Sequence, residues 1–177
     1  MKLFIRRTCV SDLDNIYDLH IKCFSQTDLW YKNNIQNYLD KGIVILKNDN
    51  IIGVLLQGEI IPCNNNNNNF KNEYEDVFEP ITDNGIAFIN NNMHNKSLYG
   101  IVMICVDPKY RKKGIAQKLI KKHFDDNINN LICLHTRASN INAINLYNKM
   151  GYEHIAFIKN KYFLPNEKSA FMIKNLN

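Results

Sequence analysis

Residues 106–116 of this 177-residue chain read VDPKYRKKGIA and stand between an apolar run and an amphipathic stretch. The apolar run, 98–106, predicts a central strand buried on both faces, and the amphipathic stretch predicts a helix. Gly114 and Ala116 allow a ligand to approach the backbone closely. The unpaired N–H groups of a first helical turn favour an anion there. The turn is therefore predicted to hold a phosphate group.

Two common phosphate-binding motifs do not fit this turn. A Walker loop needs Gly-Lys followed by Ser or Thr, whereas Gly114 is followed by Ile115 and Ala116. The dinucleotide pattern G-x-G-x-x-G needs three glycines, and the turn contains Gly114 alone. The turn therefore does not indicate nucleotide hydrolysis or dinucleotide binding.

A second motif follows at residues 140–152, which read NINAINLYNKMGY. Its apolar side chains fall on one side of a helix, and Gly151 suits the helix C-terminus. Together with the pattern R-x-x-G-x-A at 111–116, it resembles the acetyl-CoA-binding motifs of the GNAT acetyltransferase superfamily. The resemblance covers residues 98–175 closely and residues 3–61 loosely.

The resemblance implies an α/β GNAT fold in a single domain over residues 1–177. Such a fold has a mixed, mostly antiparallel sheet of about seven strands flanked by about four helices. Hydrophobic periodicity gives the same kind of order, βααββ, a loop, then βαβαββ. Periodicity vanishes between about residues 62 and 97, which predicts an Asn-rich insertion loop. The predicted strands are 3–9, 43–46, 51–56, 98–106, 131–136, 152–158 and 168–174. The first predicted helix follows an N-cap at Ser11, the second occupies residues 30–39, the third follows Gly114, and the fourth occupies residues 142–149.

The same resemblance implies acetyl-CoA as the cosubstrate and a place for each of its parts. The pantetheine arm would lie along the strand residues Ile104, Cys105 and Val106. The pyrophosphate would lie against the main chain of Arg111, Lys112, Lys113, Gly114, Ile115 and Ala116. Asn140 and Tyr147 would complete this site, with the Tyr147 hydroxyl protonating the departing CoA thiolate.

The acceptor is indicated by residues 131–136, LICLHT, which resemble a strand of the N-terminal acetyltransferases of the NatE and NatF types. In those enzymes a histidine at the position of His135 helps to deprotonate the substrate amine. A peptide α-amine has a pKa of about 7.7 to 8.0, so most of it is protonated at pH 7 and needs a base. Histidine titrates close enough to serve, directly or through a water molecule. The resemblance also implies three substrate-binding aromatic residues, namely Phe24, Tyr31 and Tyr162.

One position departs from this subgroup. Its members carry a tyrosine on the central strand that works with the histidine, and the corresponding position here is Gly100. The neighbouring Tyr99 is one residue away and is expected to face the other side of the sheet unless a bulge intervenes. The sequence therefore leaves open whether Tyr99 takes part in catalysis with His135.

Composition limits the remaining classes. The five cysteines have no C-x-x-C spacing and the five histidines are scattered, so no metal site is expected. No apolar run reaches about 18 residues, so we expect no membrane span and a cytoplasmic protein. Much of the net charge of +5 lies within residues 109–122. Single-stranded RNA binds to basic surfaces that also carry several aromatic side chains, and Tyr110 is the only aromatic residue in this stretch, so RNA binding is disfavoured.

The expected partner is a protein or peptide N-terminus, and an auxiliary subunit or the ribosome could present it. Besides RNA binding, two alternatives remain open. Other members of the superfamily acetylate lysine side chains, polyamines or small amines, whose pockets would differ around Phe24 and Tyr162. Because of Gly100, the chain could instead be a catalytically weak module that binds acyl-CoA.

Overall fold

The computed structural model describes residues 2–61, 78–92, 98–127, 131–163 and 166–176, and these contain eight strands and five α-helices. The strands are β1 Phe4–Arg7, β2 Ile43–Lys47, β3 Asn50–Ile61, β4 Phe78–Pro80, β5 Leu98–Val106, β6 Leu131–Arg137, β7 Glu153–Phe163 and β8 Asn166–Asn175. The helices are α1 Leu13–Cys23, α2 Lys32–Gln36, α3 Asp83–Asn92, α4 Ile115–Asp125 and α5 Ile141–Lys149.

These elements form two compact units. The first unit comprises Met1–Gly58 and Ile101–Ile128, and the second comprises Glu59–Gly100 and Asn129–Asn177. The boundary falls within β3 and within β5, so each of these strands contributes residues to both units.

The first unit has the strand order β1-β2-β3-β5, with β2 antiparallel to both β1 and β3. Helices α1 and α2 cover one face of these strands, because Ile16 and Ile35 are fully buried in one cluster with Val54. Successive strand residues point to opposite faces, and on the other face Gly53 lies against Ile115 of α4. The first residue of α4 therefore packs directly against β3.

The β2–β3 hairpin predicted from the turn-rich residues 47–50 is confirmed. Lys47 pairs with Asn50, and the two residues between them, Asn48 and Asp49, have φ angles of 48° and 61°. A two-residue loop with positive φ at both positions matches the right-handed twist of its strands, and Asn and Asp tolerate that conformation well. The Asn50 side-chain amide donates to the Asn48 carbonyl at 2.8 Å and closes the turn.

The second unit has the strand order β5-β6-β8-β7-β4, in which the pairs β6/β8, β8/β7 and β7/β4 are antiparallel. Phe171 of β8 is fully buried at its core. The rings of Phe78 and Phe88 pack against it at centroid distances of 5.4 and 6.2 Å. These two rings come from β4 and α3, so both elements belong to the core of the unit.

The prediction of a plain insertion loop over residues 62–97 is wrong in part. Residues 78–80 form β4 on the edge of the sheet, and residues 83–92 form α3. A three-residue strand is too short to show a period, and α3 is rich in asparagine. These two elements account for the difference from the expected seven strands and four helices. Residues 62–77 and 93–97 lie outside the described residues.

The predicted N-cap at Ser11 is also wrong. A short 3₁₀ turn at Val10–Asp12 precedes α1, and a reciprocal capping box joins Cys9 to Asp12. The Cys9 N–H donates to the Asp12 carboxylate at 2.9 Å, and Arg6 forms two hydrogen bonds to it at 2.6 and 2.8 Å. The Arg6 guanidinium lowers the pKa of Asp12 to about 2. Cysteine is not a usual capping residue, which is why the sequence pattern pointed to Ser11 instead of Cys9.

Candidate active site

The glycine-containing turn of the first unit is built by a 3₁₀ turn and two left-handed residues. The Asp107 carboxylate accepts the Lys109 N–H at 2.9 Å and starts the turn Pro108–Tyr110. Lys112 then has a φ of 58° and Gly114 a φ of 75°. The left-handed conformation is uncommon for a residue with a side chain, and such residues collect at functional sites.

Gly114 is the residue from which α4 begins. The first hydrogen bond of the helix runs from the Lys118 N–H to the Gly114 carbonyl at 3.0 Å, so the N–H groups of residues 115–117 precede any intrahelical acceptor. A Cβ placed on Gly114 would meet only the Gln117 side chain, at 3.6 Å. The space beside these N–H groups is therefore open. Main-chain donors with open space and the positive end of a helix dipole favour a phosphate.

The cationic side chains of this turn are exposed. Arg111, Lys112 and Lys113 all lie at the surface, whereas Ile115 is buried and anchors the turn. The Arg111 Nε donates to the Val106 carbonyl at 3.2 Å, which holds the guanidinium over the end of β5. The turn thus combines main-chain donors with exposed positive charge.

On β5 the predicted pantetheine residues divide between two faces. Cys105 is buried in the cluster beneath α1 and α2, whereas Ile104 and Val106 are half-buried. The Cys105 thiol therefore belongs to the core, and only its main chain is available to a ligand. Burial raises the pKa of Cys105, as expected for an inert thiol.

The structure adds Cys23, which sequence reasoning did not select. This last residue of α1 donates its thiol to the Val106 carbonyl at 3.3 Å. A hydrogen bond with Cys105 and the nearby Arg111 guanidinium lower the pKa of Cys23 to about 7. The contact spans 83 positions in sequence, so no local spacing could have indicated it.

The segment that follows α1 is held by a buried histidine. His20 is 1% exposed, and its Nε2 accepts the Trp30 N–H at 2.8 Å. Its ring lies 4.7 Å from the ring of Phe24. Burial lowers the pKa of His20, so the ring is neutral and can accept this bond.

Two predicted substrate residues occupy this segment. Phe24 is half-buried against the cluster beneath α1 and α2, and Tyr31 is 83% exposed. Tyr31 stands at the rim of a cavity of about 300 Å³. The cavity is lined by Leu29, Trp30, Tyr31, Asn34 and Tyr38.

In the second unit, His135 lies on β6 opposite Phe171 and is half-buried. Cys133 stands two residues earlier, on the same face, and packs in one cluster with Leu98. Tyr99 follows Leu98 and therefore leaves the strand on the opposite face, where it is 49% exposed. Tyr99 and His135 lie on neighbouring strands, and a part for Tyr99 in catalysis with His135 stays a prediction.

Gly100 sits where the tyrosine of the subgroup was expected, and the structure shows why no side chain is present. A Cβ there would lie 1.6 Å from the Cys133 carbonyl oxygen. The thiol of Cys133 donates to the Tyr99 carbonyl at 3.5 Å, which keeps the two strands close. The main chain of β6 therefore occupies the space that a side chain at position 100 would need.

Residues 140–152, the second motif, contain the predicted helix, which is α5. The Asn140 side chain accepts the Ala143 N–H at 3.2 Å and caps α5. At the other end Gly151 has a φ of 84°, and the Tyr152 N–H donates to the Tyr147 carbonyl at 3.0 Å, which is a glycine C-terminal cap. Tyr147 is 5% exposed, with its ring 5.7 Å from that of Tyr152.

The segment between His135 and Asn140 is tied to β8. Glu167 accepts the Ser139 N–H at 2.5 Å with one oxygen and pairs with Arg137 at 3.2 Å with the other. In the backbone register Glu167 also faces Tyr162 of β7. The side chain of Tyr162 lies outside what the structure describes, so its role in substrate binding stays a prediction.

Comparison with known proteins identifies the family. The sequence pattern of the Acetyltransferase (GNAT) family matches residues 13–152. The probable hydrolase YhcX of Bacillus subtilis is 31% identical over 130 residues, which are 70% of this chain and 23% of that protein. N-alpha-acetyltransferase 50 of Danio rerio is 33% identical over 78 residues, which are 42% of this chain and 46% of that protein. The chain spans less than half the length of these curated relatives.

Solved structures agree in fold. Arabidopsis thaliana NAA60 in complex with acetyl-CoA has a TM-score of 0.71 at 17% identity, over 98% of this chain and 99% of that one. The ribosomal-protein-S18-alanine N-acetyltransferase from Escherichia coli has a TM-score of 0.69 at 16% identity, over 99% and 95%. The chain therefore belongs to the GNAT acetyltransferase family, and the predicted GNAT fold is confirmed.

The described residues lack two kinds of feature. No helix among them is long and apolar enough to cross a membrane. No group of three or more His, Cys, Asp or Glu side chains in the same residues could hold a metal ion.

Proposed function

We propose that the chain is an acetyl-CoA-dependent N-acetyltransferase that transfers acetyl to the N-terminal α-amine of a protein or peptide. The observation that carries the proposal is the left-handed Gly114 at the start of α4, with open space beside the first N–H groups of the helix. Because the chain belongs to the GNAT acetyltransferase family, the phosphate compound expected at this turn is acetyl-CoA. The diphosphate of acetyl-CoA would accept these main-chain bonds.

The transfer is direct. The neutral amine attacks the thioester carbonyl, a tetrahedral oxyanion forms, and its collapse expels the CoA thiolate. His135, which is half-buried on β6, takes the proton of the attacking amine, the role that the resemblance to NatE- and NatF-type enzymes implies. Tyr147 returns a proton to the leaving sulfur. No acyl-enzyme is needed, and the two buried thiols Cys105 and Cys133 have pKa values raised by burial.

The third predicted catalytic residue, Tyr99, is 49% exposed on β5, and its part in the transfer stays a prediction. The peptide acceptor would be bound by Phe24, Tyr31 and Tyr162, as the resemblance to NatE- and NatF-type enzymes implies, and relatives named as acetyltransferases of protein N-termini support this class.

The test is mass spectrometry of products from acetyl-CoA with short peptides that differ in their first residue. Peptides with a blocked N-terminus and a free lysine, and spermidine, form the comparison arms. Acetylation confined to free N-termini supports the proposal, and acetylation confined to lysine or spermidine overturns the acceptor. His135→Ala should abolish turnover while binding of acetyl-CoA persists, and unchanged turnover would remove His135 as the base.

A second candidate, an acyl-CoA-binding module with little turnover, is favoured by one observation. The close approach of Gly100 to Cys133 leaves no room for the tyrosine expected at that position. Calorimetric binding of acetyl-CoA without any acetylated product across all arms would support this second function.

A further inference from the structure

Two lysine side chains converge on Tyr110, the residue before Arg111. The Nζ of Lys47 lies 5.0 Å from the centre of the Tyr110 ring, and the Nζ of Lys113 lies 5.3 Å from it. Attraction between an ammonium group and an aromatic face accounts for each contact separately. Two ammonium groups at one ring also repel each other. A polyvalent anion would relieve that repulsion.

The described part of the first unit supplies no such anion. Its salt bridges involve other cations, namely Arg6, Arg7, Lys32 and Lys122. Asp107, the carboxylate of the turn, accepts the Lys109 N–H at 2.9 Å. Lys113 donates to the Lys109 carbonyl at 3.1 Å, which uses one of its three N–H donors. Donors for a ligand therefore remain on both lysines.

The position of Lys47 is fixed before any ligand binds. Lys47 is the last residue of β2 and pairs with Asn50 across the hairpin turn. The turn is closed by the bond from Asn50 to the Asn48 carbonyl at 2.8 Å. A lysine held on a hairpin and a ring held on a 3₁₀ turn lose little freedom when a ligand arrives.

We propose that Lys47, Tyr110 and Lys113 form the site for the 3′-phosphate of acetyl-CoA. The inference rests on the proposed function, in which the main chain of residues 111–116 takes the diphosphate. The one phosphate of acetyl-CoA then left without a partner is the 3′-monoester. A phosphate monoester carries nearly two negative charges at pH 7, which matches two ammonium groups, and lysine binds phosphate as a point charge.

The test compares CoA with 3′-dephospho-CoA by isothermal titration calorimetry. The wild-type chain should bind CoA about tenfold more tightly, the effect of a charge-assisted hydrogen bond. In the double variant Lys47→Ala with Lys113→Ala this preference should fall to about one, because the affinity for CoA drops and that for dephospho-CoA changes by less than about twofold. The control is Lys118→Ala with Lys121→Ala on the exposed side of α4, which removes equal charge and should keep the preference.

Each contrary outcome has its own meaning. Equal affinity of the wild-type chain for both nucleotides would overturn this inference and leave the proposed function intact. An equal loss for both nucleotides in the Lys47 and Lys113 variant would overturn it too, because the lysines would then serve the diphosphate. A lost preference in the control would show a long-range charge effect instead of a site. Failure of the wild-type chain to bind either nucleotide would contradict the proposed function as well.

Discussion

The carbonyl oxygen of Cys133 lies 1.6 Å from where a Cβ atom on Gly100 would stand. Both residues belong to the second unit, and both are buried. Only a glycine lets the main chains of β5 and β6 come this close. The same contact removes the tyrosine that N-terminal acetyltransferases of the resembling subgroup would place there. A packing requirement therefore accounts for the departure from the subgroup's sequence at position 100.

Replacing Gly100 with alanine should destabilise the fold. The added methyl group meets main-chain atoms, which cannot rotate away, so we expect a loss of about 3 kcal/mol in the free energy of unfolding, at the upper end for overpacking. Urea unfolding measures it.

The matched control for this substitution is Gly58→Ala. Its Cβ would lie 2.5 Å from a ring carbon of Tyr38, a side chain that can move, so the loss should be smaller. Equal stability of Gly100→Ala and the wild-type chain would contradict the described approach of β5 to β6.

The buried His123 of α4 should make stability depend on pH. Burial lowers the pKa of His123 to about 4, while its Nδ1 lies 2.6 Å from the Gln57 side-chain oxygen. Between pH 6.5 and 4 the unfolded chain binds a proton that the folded chain does not, so stability is full above pH 6.5 and is lost as the pH falls. The loss from this residue is at most about 3 kcal/mol.

Urea unfolding at several pH values tests this dependence. The variant His123→Gln should show a shallower loss between pH 6.5 and 4, even if its stability at pH 7 is lower. Parallel curves for the variant and the wild-type chain would exclude His123 as the titrating group.

Cys23 should be the thiol most reactive toward iodoacetamide near neutral pH. Its pKa is lowered to about 7, and only the thiolate is alkylated. The alkylation rate should rise to half of its maximum near pH 7, while the buried Cys105 and Cys133 stay unmodified. Peptide mass spectrometry assigns each site. Arg111→Gln should move the midpoint to higher pH, and a midpoint near 9 in both proteins would refute the link to Arg111.

The sequence predicted elements whose determinants are local. β5 was predicted with its observed bounds because every residue of 98–106 except Tyr99 and Gly100 is apolar, and the glycine cap of α5 follows from Gly151 alone. The β2–β3 hairpin follows from Asn48 and Asp49, which accept the required backbone angles.

What the sequence did not predict depends on contacts between distant residues. The burial of His20 and His123 could not be predicted from hydrophobic periodicity, because that pattern counts histidine as polar. The bond from Cys23 to Val106 and the meeting of Lys47 with Tyr110 arise only when separate elements come together. Strand β4 is three residues long, and its place in the sheet is set by pairing with β7.

The most direct test of the account is calorimetric binding of acetyl-CoA to the wild-type chain and to Gly114→Ala. A Cβ at Gly114 would crowd nothing closer than 3.6 Å, but its φ of 75° strains an alanine, and relief of that strain would disturb the turn from which α4 begins. We expect one acetyl-CoA bound by the wild-type chain, and an affinity lower by about tenfold or more in the variant, at unchanged circular dichroism. Equal binding by both proteins, or no binding by the wild-type chain, would contradict the central claim that this turn holds the diphosphate.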